Sequence, residues 1–479
     1  MGLDVGRDGL SVDALRDRLA RGYPAPLTEA APLVERILHG EDIYGLDASL
    51  RGVLAPGALA WRALRSRGPA PATIDDTEIL VLYLPSRRDY AELLGPPTAE
   101  LVRRGRRVRV VVPGRRGRPD AAFGGAEVLP LERFGSAGAY RAARRALREL
   151  EPELRRFAND FGLTPQQRRQ LGLCMQAYAW ERELFTAALA RTGAEAVFGL
   201  HFTLNPGLLG AVAARRRASG RPLPVALLQH GVFSHGWADH DFHGADLVLT
   251  WGTYFDRELA AFQGATPAAR AVGNPRFERL AAGRAERPPR DRPRVLYIGT
   301  NGEEAADRAA FELVAEALAP QAGLEVLFRP HPDEPREKYA ALVAAGTIRA
   351  DAIRDGGRAH DLLGEVDLVV GTQSTLLLEG IAMGVPGIQV LPERFEVDWA
   401  RRGLPAVSDA AGLRELVAAF LHEPEAGLAA AGPLVRDMFG GTGAASTAAA
   451  AAAAGAAAGA AAGALEDLLD GARRGVLAA

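Results

Sequence analysis

Residues 367–375, DLVVGTQST, contain the pattern that indicates the fold class most clearly. A short apolar run ends at a glycine, and the polar residues after it open the helix-length segment TLLLEGIAMG, residues 375–384. An apolar run of this length followed by a helix is typical of a parallel strand whose two faces are buried under crossover helices. The stretch therefore predicts one β/α unit of a doubly wound α/β sheet.

The same pattern recurs in two series along the chain. The first series predicts strands at residues 77–85, 106–114, 196–202, 225–231 and 246–252, and the second predicts strands at 295–300, 324–332, 367–375 and 387–392. Between them lies RAERPPRDRPR, a proline- and arginine-rich stretch with the composition of a linker. This order predicts an α/β protein with two Rossmann-like domains that face a cleft, and a ligand at the carboxyl ends of the strands.

The chain then divides into five regions. These are a helical N-terminal appendage (1–72), an N-terminal Rossmann-like domain (73–283) with a helical insertion at about 133–192, a linker (284–294), a C-terminal Rossmann-like domain (295–440) and a low-complexity tail rich in Ala and Gly (441–479). In the appendage, Leu33, Ile37 and Leu38 lie on one helical stripe, and a proline near residue 165 predicts a break in the helical insertion.

The charge balance and the cysteine content exclude several classes of protein. The chain has 479 residues, with 57 Lys and Arg against 59 Asp and Glu. It lacks the global basic excess of a dedicated nucleic-acid binder, so we expect no nucleic-acid partner. Its single cysteine, Cys174, cannot form an intramolecular disulfide or a four-thiolate metal site. The N-terminal residues lack the apolar core of a signal peptide, and these features predict a cytoplasmic protein.

The tract from Ala444 to Ala464 is as long as a membrane-spanning helix. It contains only Ala, Gly, Ser and Thr, with Gly455, Gly459 and Gly463 at a spacing of four. Such a stripe of small residues occurs in packed membrane helices, but alanine is scarcely apolar enough to drive insertion. The tract therefore predicts an irregular or helical tail rather than a membrane span.

Polar residues follow three strands of the C-terminal series at the point where each strand ends. They are Thr300, Asn301 and Gly302 after the first strand, Arg329 and His331 after the second, and Thr372, Gln373, Ser374 and Thr375 after the third. The last group opens a helix, where hydroxyls, free N–H groups and the helix dipole form an anion site that suits a phosphate. The alternative is that Ser374 or Thr375 only caps the helix, which is worth about 1 kcal/mol.

Arg329 and His331 alternate past the end of their strand in RPHPDEP. Alternate residues of an extended chain point to the same side, so the pattern places a cation and a titratable donor near the predicted phosphate site. A histidine at a strand end can also be an ordinary surface residue. The convergence of two strand ends on one anion favours the functional interpretation.

The His-Pro dipeptide at 331–332 and the Ser-Thr pair at 374–375 resemble motifs of bacterial surface-polysaccharide transferases with the GT-B fold. This group contains CDP-glycerol glycerophosphotransferases of teichoic acid synthesis, polysialyltransferases and capsule glycosyltransferases. The resemblance covers roughly residues 195–440 and depends on the order, spacing and strand context of short motifs. It implies a metal-independent, inverting transferase that moves a sugar or a polyol phosphate from a CMP-, CDP- or UDP-linked donor to a glycan or lipid-linked acceptor.

The resemblance also implies roles in the C-terminal, donor-binding domain. His331, Ser374 and Thr375 would bind the donor's phosphates and stabilise the charge that develops on the leaving group. Glu379, one turn into the same helix, would contact the ribose hydroxyls. The alternative for Glu379 is an acid on the helix face near the favourable end of the dipole. No cofactor is expected beside the nucleotide-activated donor.

The N-terminal, acceptor-binding domain contains five of the nine histidines between residues 201 and 243. The Gln229-His230-Gly231 turn follows a strand and resembles a His-Gly element that has the acceptor-side catalytic role in glycerophosphotransferases and capsule transferases. An imidazole with an ordinary pKa of about 6.5 can take the acceptor hydroxyl's proton at neutral pH. We therefore predict His230 as the base, with Asp239 and Asp241 as alternatives.

A metal site is a competing interpretation of the same segment. Its imidazole and carboxylate candidates are His235, His240, His243, Asp239 and Asp241. The spacings match no ligand pattern that we can assign, so no metal is expected.

Two arginine-containing features have weaker functional interpretations. In AVGNPRFERL, residues 271–280, Asn274 and Arg276 would face the cleft near the donor, but a turn that ends a strand is the simpler interpretation. Eight arginines between Arg103 and Arg118 would suit anionic lipid head groups, if a lipid-linked acceptor brings the protein to the inner face of the membrane. Lys338 is the only lysine, and this arginine-biased composition favours a solvated edge instead.

Two further classes have the same predicted architecture. A non-hydrolysing sugar-nucleotide epimerase has paired Rossmann-like domains, but the Gly-Gly and paired-carboxylate signature expected after the strand at 367–371 is missing from this sequence. A non-catalytic nucleotide- or glycan-binding module would keep the phosphate-binding residues and lack the acceptor-side base.

Overall fold

The computed structural model describes most of the chain. The described residues are 12–38, 77–83, 90–113, 120–201, 206–232, 242, 244–262, 268–276, 291–300, 304–331, 334, 336–392, 399–439 and 447–474. Within them the strands form two separate parallel sheets, the first between residues 79 and 271 and the second between residues 294 and 407, and helices connect the strands. This is the predicted α/β architecture of two Rossmann-like domains.

The first domain contains a seven-stranded sheet in the order β3-β2-β1-β4-β5-β6-β7. Its strands are β1 (Ile79–Leu82), β2 (Val108–Val112), β3 (Glu127–Pro130), β4 (Ala196–Gly199), β5 (Val225–Leu228), β6 (Leu247–Thr250) and β7 (Ala268–Ala271). Neighbouring strands pair in parallel, and Val81 of β1 aligns with Val110 of β2 and Phe198 of β4. Every residue of β1, β4, β5 and β6 is buried, which explains why these strands read as continuous apolar runs.

The second domain contains a five-stranded parallel sheet in the order β12-β11-β10-β8-β9. Its strands are β8 (Arg294–Ile298), β9 (Glu325–Arg329), β10 (Leu368–Gly371), β11 (Gly387–Val390) and β12 (Ala406–Val407). The run at 367–375 forms β10, which is fully buried between β8 and β11. Because β8 lies between β10 and β9, the loops after these three strands open at one edge of the sheet.

Three strands were not predicted from the sequence: β3, β7 and β12. Each lies at the edge of its sheet. The residues of β7, AARA, alternate between exposed and half-buried, and β12 has only two residues. An edge strand pairs on one side only and can be covered on one face only, so it needs no apolar run to form.

Helices of the first half cover its sheet and form an added bundle. They are α1 (Val12–Gly22), α2 (Ala25–Glu29), α3 (Ala31–Leu38), α4 (Tyr90–Arg103), α5 (Ala137–Asp160), α6 (Pro165–Thr192), α7 (Pro206–Ser219) and α8 (Thr253–Phe262). Pro165 begins α6, where Thr164 and Gln167 form a capping box. The stripe of α3 is buried, and Leu33 and Ile37 share a core with Phe157 of α5.

Helices of the second half begin with α9 and end with a helix that returns to the first domain. They are α9 (Glu304–Leu318), α10 (Glu337–Ala344), α11 (Ala359–Leu363), α12 (Thr375–Ala382), α13 (Ala410–His422), α14 (Pro424–Phe439) and α15 (Thr447–Arg473). The low-complexity tail forms α15, which packs on α4. Glu466 of α15 pairs with Arg104 at 2.8 Å, and Arg473 pairs with Glu195 at 2.7 Å. The tail is therefore part of the first domain's surface.

No helix in the described ranges is long and apolar enough to cross a bilayer. Four of the described arginines of the 103–118 stretch, Arg103, Arg104, Arg106 and Arg109, form ion pairs with carboxylates. Arg103 pairs with Glu100 at 2.6 Å, and Arg109 pairs with Glu127 at 3.0 Å. These pairs leave less free positive charge for an anionic membrane than the sequence suggests, so membrane contact gains no support from them.

Candidate functional site

The two domains meet at a hydrogen bond between the two segments that the sequence analysis favoured. Val232 N, just after the Gln229-His230-Gly231 turn, donates to Thr375 Oγ1 at 3.0 Å. Thr375 is the first residue of α12, and Ser374 is the N-cap of that helix. The predicted base and the predicted anion site therefore lie on opposing segments of one domain interface.

Ser374 and Thr375 have different contacts. Ser374 Oγ accepts a hydrogen bond from Leu376 N at 3.3 Å, which is the capping role considered as the alternative. Thr375 Oγ1 instead contacts the first domain. Thr372, two residues before the cap, is fully buried, and Gln373 is half-buried. The end of β10 therefore combines a capped helix N-terminus with a contact to the other domain.

A buried glutamine fixes the loop in each domain. Gln229 Nε2 donates to Gly231 O at 2.8 Å, and Gln229 Oε1 accepts from Trp251 N at 2.8 Å. In the second domain Gln389 Nε2 donates to Thr372 O at 2.8 Å, and Gln389 Oε1 accepts from Trp399 N at 3.0 Å. Because both amides are fully buried and bonded at both ends, they hold the two facing loops in defined conformations.

His230 lies in a cluster of three rings. The centroid of its half-buried imidazole is 4.8 Å from that of His201 and 5.6 Å from that of Tyr90. His201 Nε2 lies 3.2 Å from Tyr90 Oη. These residues follow β1, β4 and β5, which are adjacent in the sheet, so their side chains meet at its carboxyl edge. Tyr90 was missed because its only signal was its position at the start of the first crossover helix.

His331 lies at the carboxyl edge of the second sheet, in a loop with specific main-chain contacts. His331 N donates to Glu334 Oε2 at 2.8 Å, and His331 O accepts from Arg336 Nη1 at 2.8 Å. Thr300 is buried and follows β8, the strand that neighbours β9 in the sheet. Glu334 was not among the residues predicted from the sequence, although its place three residues after the histidine is typical of a side chain that caps a turn.

Arg329 supports another loop of the second domain. Its guanidinium donates to the main-chain oxygens of Arg354, of Gly356 at 2.8 Å and of Gly357 at 3.0 Å. Burial lowers the pKa of Arg329 from its ordinary value. The residue therefore stabilises the segment before α11, and its predicted contact with the donor remains a prediction.

Several predicted residues lie outside the described residues. They are Asp239, Asp241, Asn301 and Gly302, together with His235, His240 and His243. Their predicted roles remain predictions. Within the described ranges, no group of three or more His, Cys, Asp and Glu side chains could hold a metal ion.

Glu379 lies in a buried network that joins the domains. Its Oε1 accepts from Arg276 Nη1 at 3.0 Å and from Asn274 Nδ2 at 3.2 Å, and its Oε2 lies 2.8 Å from His360 Nε2. Arg276 and Asn274 follow β7 of the first domain, and His360 and Glu379 belong to α11 and α12 of the second. Asn274 and Arg276 therefore lie at the domain interface, and Asn274 Oδ1 also shapes their turn by accepting from Arg276 N at 3.0 Å.

The charges of this network decide the protonation state of Glu379. Burial alone would raise its pKa, but the charges of the Arg276 guanidinium and His360, together with the hydrogen bonds of His360 and Asn274, hold the pKa below its ordinary value. A ribose hydroxyl could reach this carboxylate only by sharing it with these donors or displacing them. The ribose contact of Glu379 remains a prediction.

Replacing Arg276 with alanine should destabilise the protein by about 3–5 kcal/mol, because the substitution leaves the Glu379 carboxylate buried and short of its main counter-charge. Urea unfolding measures this loss. Arg257, which pairs with Asp437 across the same two domains but is exposed, is the matched control, and Arg257→Ala should cost no more than about 1 kcal/mol. Equal losses for the two variants would contradict the assigned importance of the buried network.

The pH dependence of that stabilisation follows from the direction of the pKa shift. Because the pKa of Glu379 is lower in the folded state than in the unfolded state, the contribution is fully present above the ordinary glutamate pKa. It is lost as the pH falls through the lowered folded value.

Comparisons with known proteins identify the fold and no family. No family model matches the sequence, and a search of curated proteins gives no significant match. Among solved structures, the UDP-GlcNAc 2-epimerase of Neisseria meningitidis bound to UDP-GlcNAc is 9% identical, with a TM-score of 0.52 over 77% of this chain and 97% of its own. A protein of Listeria monocytogenes assigned as a UDP-N-acetylglucosamine 2-epimerase is 14% identical, with a TM-score of 0.50 over 77% and 93%.

The wall teichoic acid polymerase TagF is 11% identical, with a TM-score of 0.46 over 90% of this chain and 98% of its own. The likeness to the two epimerase structures, at these identities, extends to the fold alone. The chain has the GT-B arrangement of two Rossmann-like domains, as the sequence predicts.

Proposed function

We propose that this protein is a GT-B transferase that moves a sugar or a polyol phosphate from a nucleotide-activated donor to a bacterial surface glycan or its lipid-linked precursor. One observation carries the proposal: the Val232–Thr375 hydrogen bond puts the His230 loop against the helix N-terminus after β10. Transfer needs an acceptor-side base and a donor-side anion site next to each other. Neither a lone nucleotide-binding domain nor a lone histidine would supply both.

The donor half of the proposal uses the edge formed by the loops after β8, β9 and β10. The N-terminus of α12 and the imidazole of His331 would bind the donor's phosphates, with Thr300, Thr372 and Gln373 as nearby polar groups. These dipolar and cationic groups stabilise negative charge on the leaving nucleotide, so the reaction needs no obligatory metal.

The acceptor half uses His230. Its imidazole takes the proton of the acceptor hydroxyl while the hydroxyl oxygen bonds to the donor's anomeric carbon or to its polyol-bearing phosphorus. The bond from that atom to the departing nucleotide phosphate breaks, and the electron pair leaves with the nucleotide. Packing of His230 against Tyr90 and His201 keeps the imidazole ring in one orientation.

An epimerase is the second candidate, because one of the two solved structures described above is a UDP-GlcNAc 2-epimerase, the other is assigned as one, and both have the same fold. Such an enzyme acts on the nucleotide sugar alone and needs no acceptor. The missing Gly-Gly and paired-carboxylate signature after β10 argues against it.

The test is to incubate the pure protein with CMP-, CDP- and UDP-linked donors, with and without a panel of glycan and lipid-linked primers, and to measure nucleotide release. Release that requires a primer is the expected result. Conversion of UDP-GlcNAc into its 2-epimer without a primer would identify the epimerase instead. Binding without any turnover would leave a non-catalytic module.

A further inference from the structure

We propose that Glu334 is a positioning residue for His331, and that with Lys338 it fixes the distance between the loops after β8 and β9. The inference rests on the proposed function for its catalytic consequence only. Glu334 and Lys338 form a buried ion pair that was not predicted from the sequence.

Glu334 is the centre of a buried polar cluster. Its Oε2 accepts from His331 N at 2.8 Å and from Tyr339 Oη at 2.8 Å, and its Oε1 pairs with Lys338 Nζ. The Glu334 and Lys338 side chains are only 2% and 7% exposed. A buried carboxylate with this many donors is held firmly, and it holds the donors in turn.

Lys338 is the only lysine in a chain whose other basic residues, His aside, are arginine. Its ammonium lies 5.2 Å from the centroid of the Phe311 ring and 5.4 Å from that of Tyr339, beside the Glu334 carboxylate. An ammonium is a compact point charge, whereas a guanidinium is a wide planar fork. A lysine at this one buried position, in an arginine-biased composition, indicates that the buried space between the Glu334 carboxylate and the Phe311 and Tyr339 rings suits the compact cation.

The same carboxylate contacts the loop after β8. A Cβ atom on Gly299 would lie 2.2 Å from Glu334 Oε2 and 2.9 Å from Tyr339 Oη, so the Gly299 backbone packs directly on the cluster. Gly299 N also donates to Arg329 O at 2.8 Å, which joins it to the end of β9. The loop that carries Thr300 and the loop that carries His331 are therefore both set against one carboxylate.

These contacts separate a positioning role from general stabilisation. The hydrogen bond from His331 N to Glu334 is direct, whereas the other contacts of Glu334 are with Lys338 and Tyr339 of α10 and with Gly299, just after β8. Loss of the carboxylate should change where the imidazole is held, and should do so even in a variant that remains folded.

The experiment uses the double variant Glu334→Gln/Lys338→Met, because Glu334→Gln alone leaves a buried ammonium without its partner. Replacing a whole buried ion pair with neutral groups of similar volume is often close to neutral for stability. Glu337→Gln, at an exposed position in the same helix, is the control. We expect the double variant to unfold within a few degrees of wild type.

The first measurement is amide hydrogen exchange of His331 in the absence of any ligand, so it does not depend on the proposed function. We expect the His331 amide to be protected in wild type and in Glu337→Gln, and to exchange about tenfold faster or more in the double variant, while the amides of β8 and β10 stay protected. Equal protection of His331 in all three proteins would overturn the positioning role.

The second measurement is a double-mutant cycle with His331→Ala, read as the dissociation constants of CMP, CDP and UDP and as turnover. We expect the Glu334→Gln/Lys338→Met change to weaken nucleotide binding by about tenfold in wild type and to have little effect once His331 is alanine. Equal effects in both backgrounds would show a merely structural role. If wild type binds none of the nucleotides, the proposed function fails and the exchange result alone decides the inference.

Discussion

His230→Ala is expected to reduce group transfer by about 10²–10⁴-fold while the protein still binds donor nucleotide, because the substitution removes the proposed acceptor-side base and leaves the donor domain untouched. Nucleotide affinity by calorimetry and transfer rate by nucleotide release measure the two properties separately. The exposed His422, on α13, is the matched control, since His422→Ala should change neither.

The rest of the fold should tolerate the change. His230 is half-buried, and Gln229 holds the loop around it by donating to Gly231 O and accepting from Trp251 N. Transfer at the wild-type rate would show that another residue is the general base, and Asp239 and Asp241 are the next candidates. Loss of nucleotide binding together with transfer would show that His230 acts in donor binding instead.

His331→Ala is expected to lower turnover by about 10² or more with little loss of folded protein, because the imidazole is the proposed partner of the charge that develops on the leaving phosphate. In contrast to His230→Ala, this variant should also bind nucleoside diphosphates more weakly. Steady-state kinetics, together with the unfolding midpoint, check both parts.

The His331 main chain, not its imidazole, makes the hydrogen bonds to Glu334 and Arg336, so the loop should keep its shape in the alanine variant. Near-normal rates with unchanged nucleotide affinity would remove His331 from the site. An equal drop in rate for His422→Ala would show that the assay responds to something other than the cleft.

The interior strands were predictable from the sequence for a physical reason. Strands such as β1 and β10 are buried on both faces, so their sequences, ILVL and LVVG, have no room for polar residues. The edge strand β7, AARA, has one neighbour and exposed residues, and its sequence is indistinguishable from a turn or a helix end. The alanine-rich tail was ambiguous because its helical propensity did not indicate a packing partner, which proved to be α4.

The candidate site was predictable in part. His230, His331 and the Ser374-Thr375 pair each follow an apolar strand directly, and parallel strands all point their carboxyl ends to one edge. Residues such as Tyr90, Glu334 and His360 could not be found in this way, because their contacts join positions that are separated in sequence or hidden in a helix. Glu379 was selected as a ligand-binding residue, and the buried ion pair with Arg276 became visible only in the folded chain.

Two parallel α/β sheets, with polar and titratable residues after their strands, were predictable from the amino-acid sequence, because burial of a strand on both faces leaves a local apolar signature. Which of those residues meet depends on the tertiary structure. The order β10-β8-β9 in the second sheet, the contact of Val232 with Thr375 and the bridging of the domains through Glu379 depend on how elements distant in sequence pack against one another. Packing of that kind is a property of the whole folded chain, and no local stretch of residues encodes it.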